Sequence, residues 1–257
     1  MTKVLPRTNF NSSRLARFLA DLAVVDVPDA GHAFADRLGQ WLNFNDALTL
    51  YAAHENPPAG LGAGTGTAVA GSGAPDALRD TVERVRQTLI DTITRSCSPQ
   101  GGGTRLKLPT PQPGVPLEIQ LAYEPYRRFH LAHQRDIDGA IRPLRAQVRQ
   151  ALSQASPTLK KLATLDAAFD QILSEREARL LATVPSLLQR RYEHLLQAHH
   201  QATDGAGDDD PQRWTEPGGW LAAYGADLRE ALLAELDLRL QPTLGLLDAY
   251  NETKNQQ

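Results

Sequence analysis

The chain has 257 residues, enough for one large domain or two small ones with a core that needs no staples. Its 38 Leu and 35 Ala stand against 16 Ile and Val together, a helix-forming bias that largely rules out a β-sandwich, a barrel or a parallel-sheet enzyme. With 27 Lys and Arg against 30 Asp and Glu the net charge is −3, so no global excess points to nucleic acid or a membrane surface.

One cysteine, Cys97, can form no internal disulfide, which fits a reducing compartment and a cytoplasmic location. The opening Met1 to Arg7 has no apolar run of the kind a signal peptide needs. The longest stretch without a charged residue or histidine, Asn56 to Pro75, is Gly, Ala, Thr and Pro, too weakly apolar for a membrane span.

In chain order, the first apolar pattern is Leu15, Phe18, Leu19, Leu22 and Val25, spaced by three and four behind the N-capping Ser12 or Ser13. Phe34, Leu38, Trp41 and Leu42 form a second pattern, and Leu48, Tyr51 and Ala52 a third from about Asn45 to Glu55. Residues 1–55 therefore read as a three-helix unit, near the size at which independent stability is marginal, and expected to lean on the rest of the chain. Residues 56–75 read as a Gly/Ala-rich linker.

A connecting helix follows over 76–96, with Leu78, Val82, Val85, Leu89 and Ile93 on one face and an Asp91–Arg95 pair at i,i+4. Residues 97–122 read as a Pro/Gly-rich loop; the alternating Val115, Leu117, Ile119 and Leu121 suggest a short hairpin that Pro116 argues against.

A long helical hairpin is predicted over 123–203. Its first helix, about Glu124 to Ser153, carries the seam Phe129 or His130, His133, Ile137, Ile141, Leu144, Val148 and Leu152. Pro143 would bend it at Gly139, where no Cβ resists. Ser156-Pro157 is a cap-and-start signal, after which helical spacing holds to about Ala202, with Pro185 kinking or dividing it. The first helix begins opposite Pro185, so 186–202 overshoots its partner and needs another surface. Residues 204–218 read as an acidic loop. The last helix, 219–250, has leucines on more than one face, as expected of a helix buried on several sides, either beside the overshooting segment or against a second copy.

Catalytic frames are weak throughout. Gly60 to Gly73 lacks the G-x-G-x-x-G spacing, a preceding strand and a following Gly-Lys-Ser/Thr, and Ser72 lacks a nucleophile elbow. His130, His133 and Asp136 share a helical face, but no Glu-x-x-His or His-Glu-x-x-His is present. A metal enzyme centred on His130 and His133 is thus a third reading only. His199 and His200 near Asp208, Asp209 and Asp210 suggest at most adventitious metal. Cys97 at a helix C-terminus is a poor thiolate, and Glu175, Arg176, Glu177 and Arg179 read as a solvated mixed-charge run. No enzyme, cofactor or metal is expected.

The least ordinary feature is a ridge of Arg128, Arg135, Arg142 and Arg149, one every seven residues on the side away from the seam. It is either a solvated exterior or a binding site for phosphate, an acidic partner or the Asp-rich segment. It has no interleaved aromatics, which disfavours nucleic acid.

The segments Arg14-Leu-Ala-Arg-Phe-Leu-Ala-Asp-Leu-Ala-Val-Val-Asp-Val27, Phe34-Ala-Asp-Arg-Leu-Gly-Gln-Trp-Leu42, Tyr126-Arg-Arg-Phe129, Ile141-Arg-Pro-Leu-Arg145 and Leu232-Leu-Ala-Glu-Leu-Asp-Leu-Arg-Leu-Gln-Pro242 together resemble the proteobacterial domain-of-unknown-function 3348 family, across nearly the whole chain. That family has no established activity and hence no functional residues to transfer. The resemblance implies a cytoplasmic accessory of an inner-membrane, motor-like complex.

The expectation is therefore an all-α protein: a small N-terminal helical unit, a long antiparallel hairpin and a C-terminal helix packed on it. Its predicted role is a non-enzymatic scaffold or adaptor that self-associates, as a homodimer for instance, and binds envelope or inner-membrane complex proteins without inserting into the membrane. The alternative is an anionic-ligand or nucleic-acid binder using the arginine ridge. Usable surfaces are expected on the outside of the rods, with no chemical pocket between them.

Overall fold

The computed structural model describes residues 14, 15, 18, 44–55, 74–98, 103–203 and 210–255. Among these the chain is all-α, with no strand: α1 (Phe44–Glu55), α2 (Ala74–Ser96), the single turn α3 (Leu117–Gln120), α4 (Glu124–Ala155), α5 (Pro157–Leu181), α6 (Val184–Thr203), a 3-10 turn (Pro211–Thr215) and α7 (Trp220–Asn255). Most of the first two N-terminal patterns, nearly all of the 56–75 linker and Asp204 to Asp209 of the acidic loop lie outside the described residues.

The hairpin forms as its punctuation dictates. Ser156 is extended and its Oγ accepts from the Leu159 amide at 3.2 Å, with Pro157 opening α5. The seam of α4 is buried as spaced, from Phe129 through His130, His133, Ile137, Ile141, Leu144 and Val148 to Leu152. On α5 the buried line is smaller than expected: Ala163, Thr164 and Ala168 face inward, and Leu165, Phe169 and Ile172 are half-buried.

Pro143 and Pro242 lie inside unbroken helices, whereas Pro185 stands at a helix start. α4 runs unbroken through Pro143; Gly139 is on the outside, with open space where a Cβ would stand, so the ring displaces little. Pro185 divides its helix. α5 ends at Leu181, a turn at Ala182 and Thr183 intervenes, and α6 begins with Pro185 in its first turn, where its missing amide costs nothing. The turn closes on itself: Thr183 Oγ1 donates to the Leu180 carbonyl at 2.6 Å, and the Ser186 amide donates to the Thr183 carbonyl at 3.1 Å.

That division lets α6 change partners. Tyr123 Oη donates to the Pro185 carbonyl at 2.7 Å, fixing the start of α4 opposite the break as the residue count demands. Beyond it, Leu188 and Tyr192 turn onto α7. There Tyr192 meets Tyr126, Trp220 and Tyr224 with ring centroids 5.1 to 5.3 Å apart, within the range of favourable tilted pairs.

The C-terminal helix is the centre of the molecule. α7 touches α2, α4, α5, α6 and the 3-10 turn. Leu221, Leu228, Leu232, Leu236 and Leu240 are all buried, so the multi-faced leucine pattern is answered within one chain. α2 adds Leu78, Val82 and Ile93, with the Leu108 amide bonded to the Ser96 carbonyl at 2.9 Å beyond its end. Arg95 reaches back to the Asp91 backbone carbonyl at 3.2 Å while the Asp91 carboxylate accepts from Gln87, so the expected i,i+4 ion pair is replaced by these bonds.

Of the N-terminal unit, buried Leu15 joins the core and Arg14 bonds Glu230 and Asp237 on α7, which is the predicted leaning on the rest of the chain. α1 packs on α5 through buried Ala53. The face expected to be apolar core, Leu48 and Tyr51, is 57% and 64% exposed instead. α1 presents its small residue to α5 and its large ones outward.

No helix among the described residues is long and apolar enough to cross a membrane.

Leu236→Ala, in the middle of α7, is expected to cost about 2–5 kcal/mol in denaturant titration, because fully packed neighbours relax poorly around the cavity. Leu180→Ala, at a mostly exposed position, is expected to stay within roughly 0.5 kcal/mol of the parent.

Candidate functional site

The four ridge arginines do not share one environment. Arg128 is outside, its Nε bonded to Glu124 at 3.1 Å within the same helix. Arg142 is outside and bonded to Asp138 at 2.9 Å. Arg135 is exposed, and no described residue pairs with it. Arg149 departs from the line. Its side chain is only 18% exposed and is turned onto α5.

What draws Arg149 in is a four-residue cluster between the hairpin helices. Arg145 donates Nε and Nη2 to Asp166, at 2.9 and 2.6 Å, and Nη1 to Asp170 at 2.9 Å. Arg149 donates Nε to Asp166 at 2.6 Å and Nη2 to Asp170 at 2.7 Å. Two residues four apart on α4 thus meet two residues four apart on α5, a geometry suited to the planar guanidinium fork. The heptad count places Arg149 on the correct helical sector to within a turn. Whether a long side chain at that sector's edge points to water or folds across depends on a neighbour that periodicity on one helix does not contain.

Next to this cluster a cleft of about 560 Å³ opens where α4, the end of α5, the start of α6 and α7 meet. It contradicts the expectation that no polar pocket lies among the helices. Arg127, Asp138, Arg142, Arg145 and Gln134 come from α4, Asp170, Ser174 and Glu177 from α5, and Arg239 from α7. Arg239 is nearly buried, its side chain 12% exposed. It reaches Asp138 at 3.5 Å, a long contact to a carboxylate already held by Arg142. Its Nε meets no acceptor among the described residues. Glu177 stands near Arg239 and Arg145; burial pushes its carboxyl above the usual carboxylate range, and the two guanidiniums oppose that rise.

Behind the cleft lies a polar cluster deep in the core. His130 Nε2 and Glu235 Oε1 share a hydrogen bond at 2.8 Å, both side chains fully buried. Gln134 Nε2 donates to Glu235 Oε2 at 2.7 Å and more weakly to the Leu181 carbonyl at 3.3 Å. Both oxygens of the buried carboxylate are therefore engaged, as low-dielectric burial requires.

His133 is engaged elsewhere. Its Nε2 meets Ser96 Oγ at 2.8 Å across to α2, and Phe129 packs edge-on against the ring. Burial pushes this imidazole down to about 4, so it is neutral. His130 and His133 thus point to different helices, and Asp136 accepts from Arg105 Nη2. No grouping of three or more His, Cys, Asp or Glu among the described residues is placed to hold a metal ion. His199 packs against Trp214 and Trp220, and Asp210 caps the 3-10 turn by accepting from the Gln212 amide. Buried Cys97 has its thiol pushed up to about 11 by desolvation, leaving little thiolate.

Sequence reasoning did not single out Glu235, Gln134, Arg145 or Arg239. Glu235 and Arg239 carried a signal, since each is a charge inside a leucine run that covers most of its helix. A charge there must be paired or line a cavity.

A family model described as "Protein of unknown function (DUF3348)" matches residues 1–252, and the chain belongs to that family. No curated protein and no solved structure matches it.

Two stability outcomes follow. Glu235→Ala, which strands His130 and Gln134 in the core, is expected to cost roughly 3 kcal/mol or more, whereas Glu230→Ala, at the exposed Arg14 pair, costs under about 1 kcal/mol. His133 sets a pH dependence. At pH above 6.5 the folded and unfolded imidazoles are both neutral. Between 6.5 and about 4 the unfolded chain takes a proton that the folded chain refuses. Stability should therefore fall with pH across that window, by on the order of 3 kcal/mol in all. Urea titrations from pH 7 to 4.5 read this slope, and His133→Gln should flatten it.

Proposed function

We propose that this member of the DUF3348 family is a non-catalytic helical scaffold that works through its outer faces, by self-association and by binding protein partners. The observation that carries the reading is the contrast on α1. A helix docked by Ala53 leaves Leu48 and Tyr51, one turn apart, more than half exposed, while most of the inward ionisable groups are engaged between helices. Exposed large apolar residues grouped on a helix are what a partner helix recognises. The family resemblance extends the proposal to a cytoplasmic adaptor of an inner-membrane, motor-like assembly, with envelope proteins as partners.

Size-exclusion chromatography with light scattering tests the self-association. The parent chain should run above monomer mass at tens of micromolar (about the level at which a micromolar contact fills). The double variant Leu48→Glu with Tyr51→Glu should run as a monomer with an unchanged helical spectrum. A parent that stays monomeric at every concentration would remove self-association from the proposal.

The anionic reading of the ridge retains one specific support, Arg135, which is exposed and pairs with no described residue. Arg128 and Arg142 already have carboxylates in their own helix, and Arg149 belongs to the buried cluster. Affinity for single- or double-stranded DNA would have to fall steeply with salt for that reading to lead.

A further inference from the structure

We propose that the cleft between α4, α5, α6 and Arg239 of α7 is a binding site for a small organic oxyanion, a carboxylate or phosphate monoester, held by Arg239 with Arg142 and Arg127 at the rim.

Size comes first. About 560 Å³ is within the range of small-molecule sites, roughly 300–1,000 Å³. The walls mix apolar surface from Leu131, Ile141 and Leu181 with polar groups on every contributing helix, the composition that seats a short carbon body and orients its charged end.

Charge decides the sign. The lining cations are Arg127, Arg142, Arg145 and Arg239, and the lining anions are Asp138, Asp170 and Glu177, an excess of one positive charge. Arg145 contributes nothing free, since three of its nitrogens are bonded to Asp166 and Asp170. The excess therefore falls on Arg239 and the rim. Asp138 is shared between Arg142 at 2.9 Å and Arg239 at 3.5 Å, so the contact to Arg239 lies at the outer limit of a hydrogen bond.

Hydrogen bonding then names the group. Arg239 makes one long contact, through Nη1, and its enclosed Nε meets no acceptor among the described residues, so a ligand in the cleft would be met by its Nη groups. A planar or tetrahedral oxyanion matches the guanidinium fork. Arg127, whose partner Glu124 is at 3.5 Å, can turn inward from the rim. Glu177, bonded to no described side chain, lines the same cleft and there offers its carboxylate to a hydrogen-bond donor on the ligand's far end. A hydroxyl- or amine-bearing acid fits better than a plain diacid. This proposal is independent of the scaffold reading, because none of these residues is on α1.

Isothermal titration of the full-length chain with inorganic phosphate, succinate and 4-aminobutanoate tests it. Saturable binding of at least one probe is expected, with 4-aminobutanoate ahead of succinate. Arg239→Gln should weaken it by about tenfold or more, and Arg239→Lys, which keeps charge and bulk, by several-fold through loss of the fork. Glu177→Gln should tighten phosphate and succinate by removing a like charge, and Arg95→Gln on α2, whose guanidinium bonds its own helix outside the cleft, should change nothing. Arg239→Lys and Glu177→Gln carry the test should Arg239→Gln fail to fold. No saturable binding of any probe up to roughly 10 mM, or affinity indifferent to both Arg239→Lys and Glu177→Gln, would overturn the assignment.

Discussion

The architecture depends on one constraint: a 36-residue helix, α7, that is apolar over most of its circumference and must be largely enclosed. A helix with a single apolar stripe can lie on a surface, but one with leucines all round is stable only when neighbours cover each side. α4, α2, α6 and α5 cover most of it and leave Ala226, Arg229, Gln241 and Asp248 exposed along one side. Sliding α4 along α7 would still bury apolar side chains on leucine, so hydrophobic contact alone leaves their register loose. Glu235 removes that freedom. Its carboxylate finds His130 and Gln134 at only one axial position, and any other would leave a buried charge unpaired at several kcal/mol. The buried network is better understood as a register device than as a source of net stability.

Enclosing α7 also explains the break at Pro185. A straight continuation of α5 would carry Leu188 and Tyr192 past the end of α4 into water. Splitting the helix at Ala182 and Thr183 returns both side chains to α7, where Tyr192 joins the tyrosine and tryptophan cluster. The split has a second effect. Two helix ends separate at the corner beside Arg239, and the cleft is the space they leave. The arrangement of the helices and the cleft thus come from one proline.

Most of the fold was legible because it rests on local rules. Helical spacing marked α2, α4 and α7; Ser156-Pro157 marked the hairpin turn; and residue counting placed Pro185 opposite the start of α4. Two features were not legible, for different reasons. Leu48 and Tyr51 read as a core face because helical periodicity reports which residues share a side, not which side is turned inward. Ala53, too small to weigh in the pattern, proved to be the contact. The cleft was hidden because its residues come from four helices, and no spacing along one segment relates Arg127 to Glu177 or either to Arg239.

The arginines show where the boundary between the two kinds of information falls. Arg142, Arg145 and Arg149 lie within eight residues of one helix, and composition treats them alike. Arg142 finds Asp138 in its own helix, Arg145 and Arg149 find Asp166 and Asp170 across the hairpin, and Arg239, from another helix altogether, finds only what Arg142 leaves of Asp138. Pairing within a helix can be read from spacing, and pairing across a hairpin follows once its turn is placed. The guanidinium left short of acceptors emerges only when all partners have been assigned in three dimensions. A residue defined by such a shortfall is invisible to any motif, because what distinguishes it is the set of bonds its neighbours have already formed with one another.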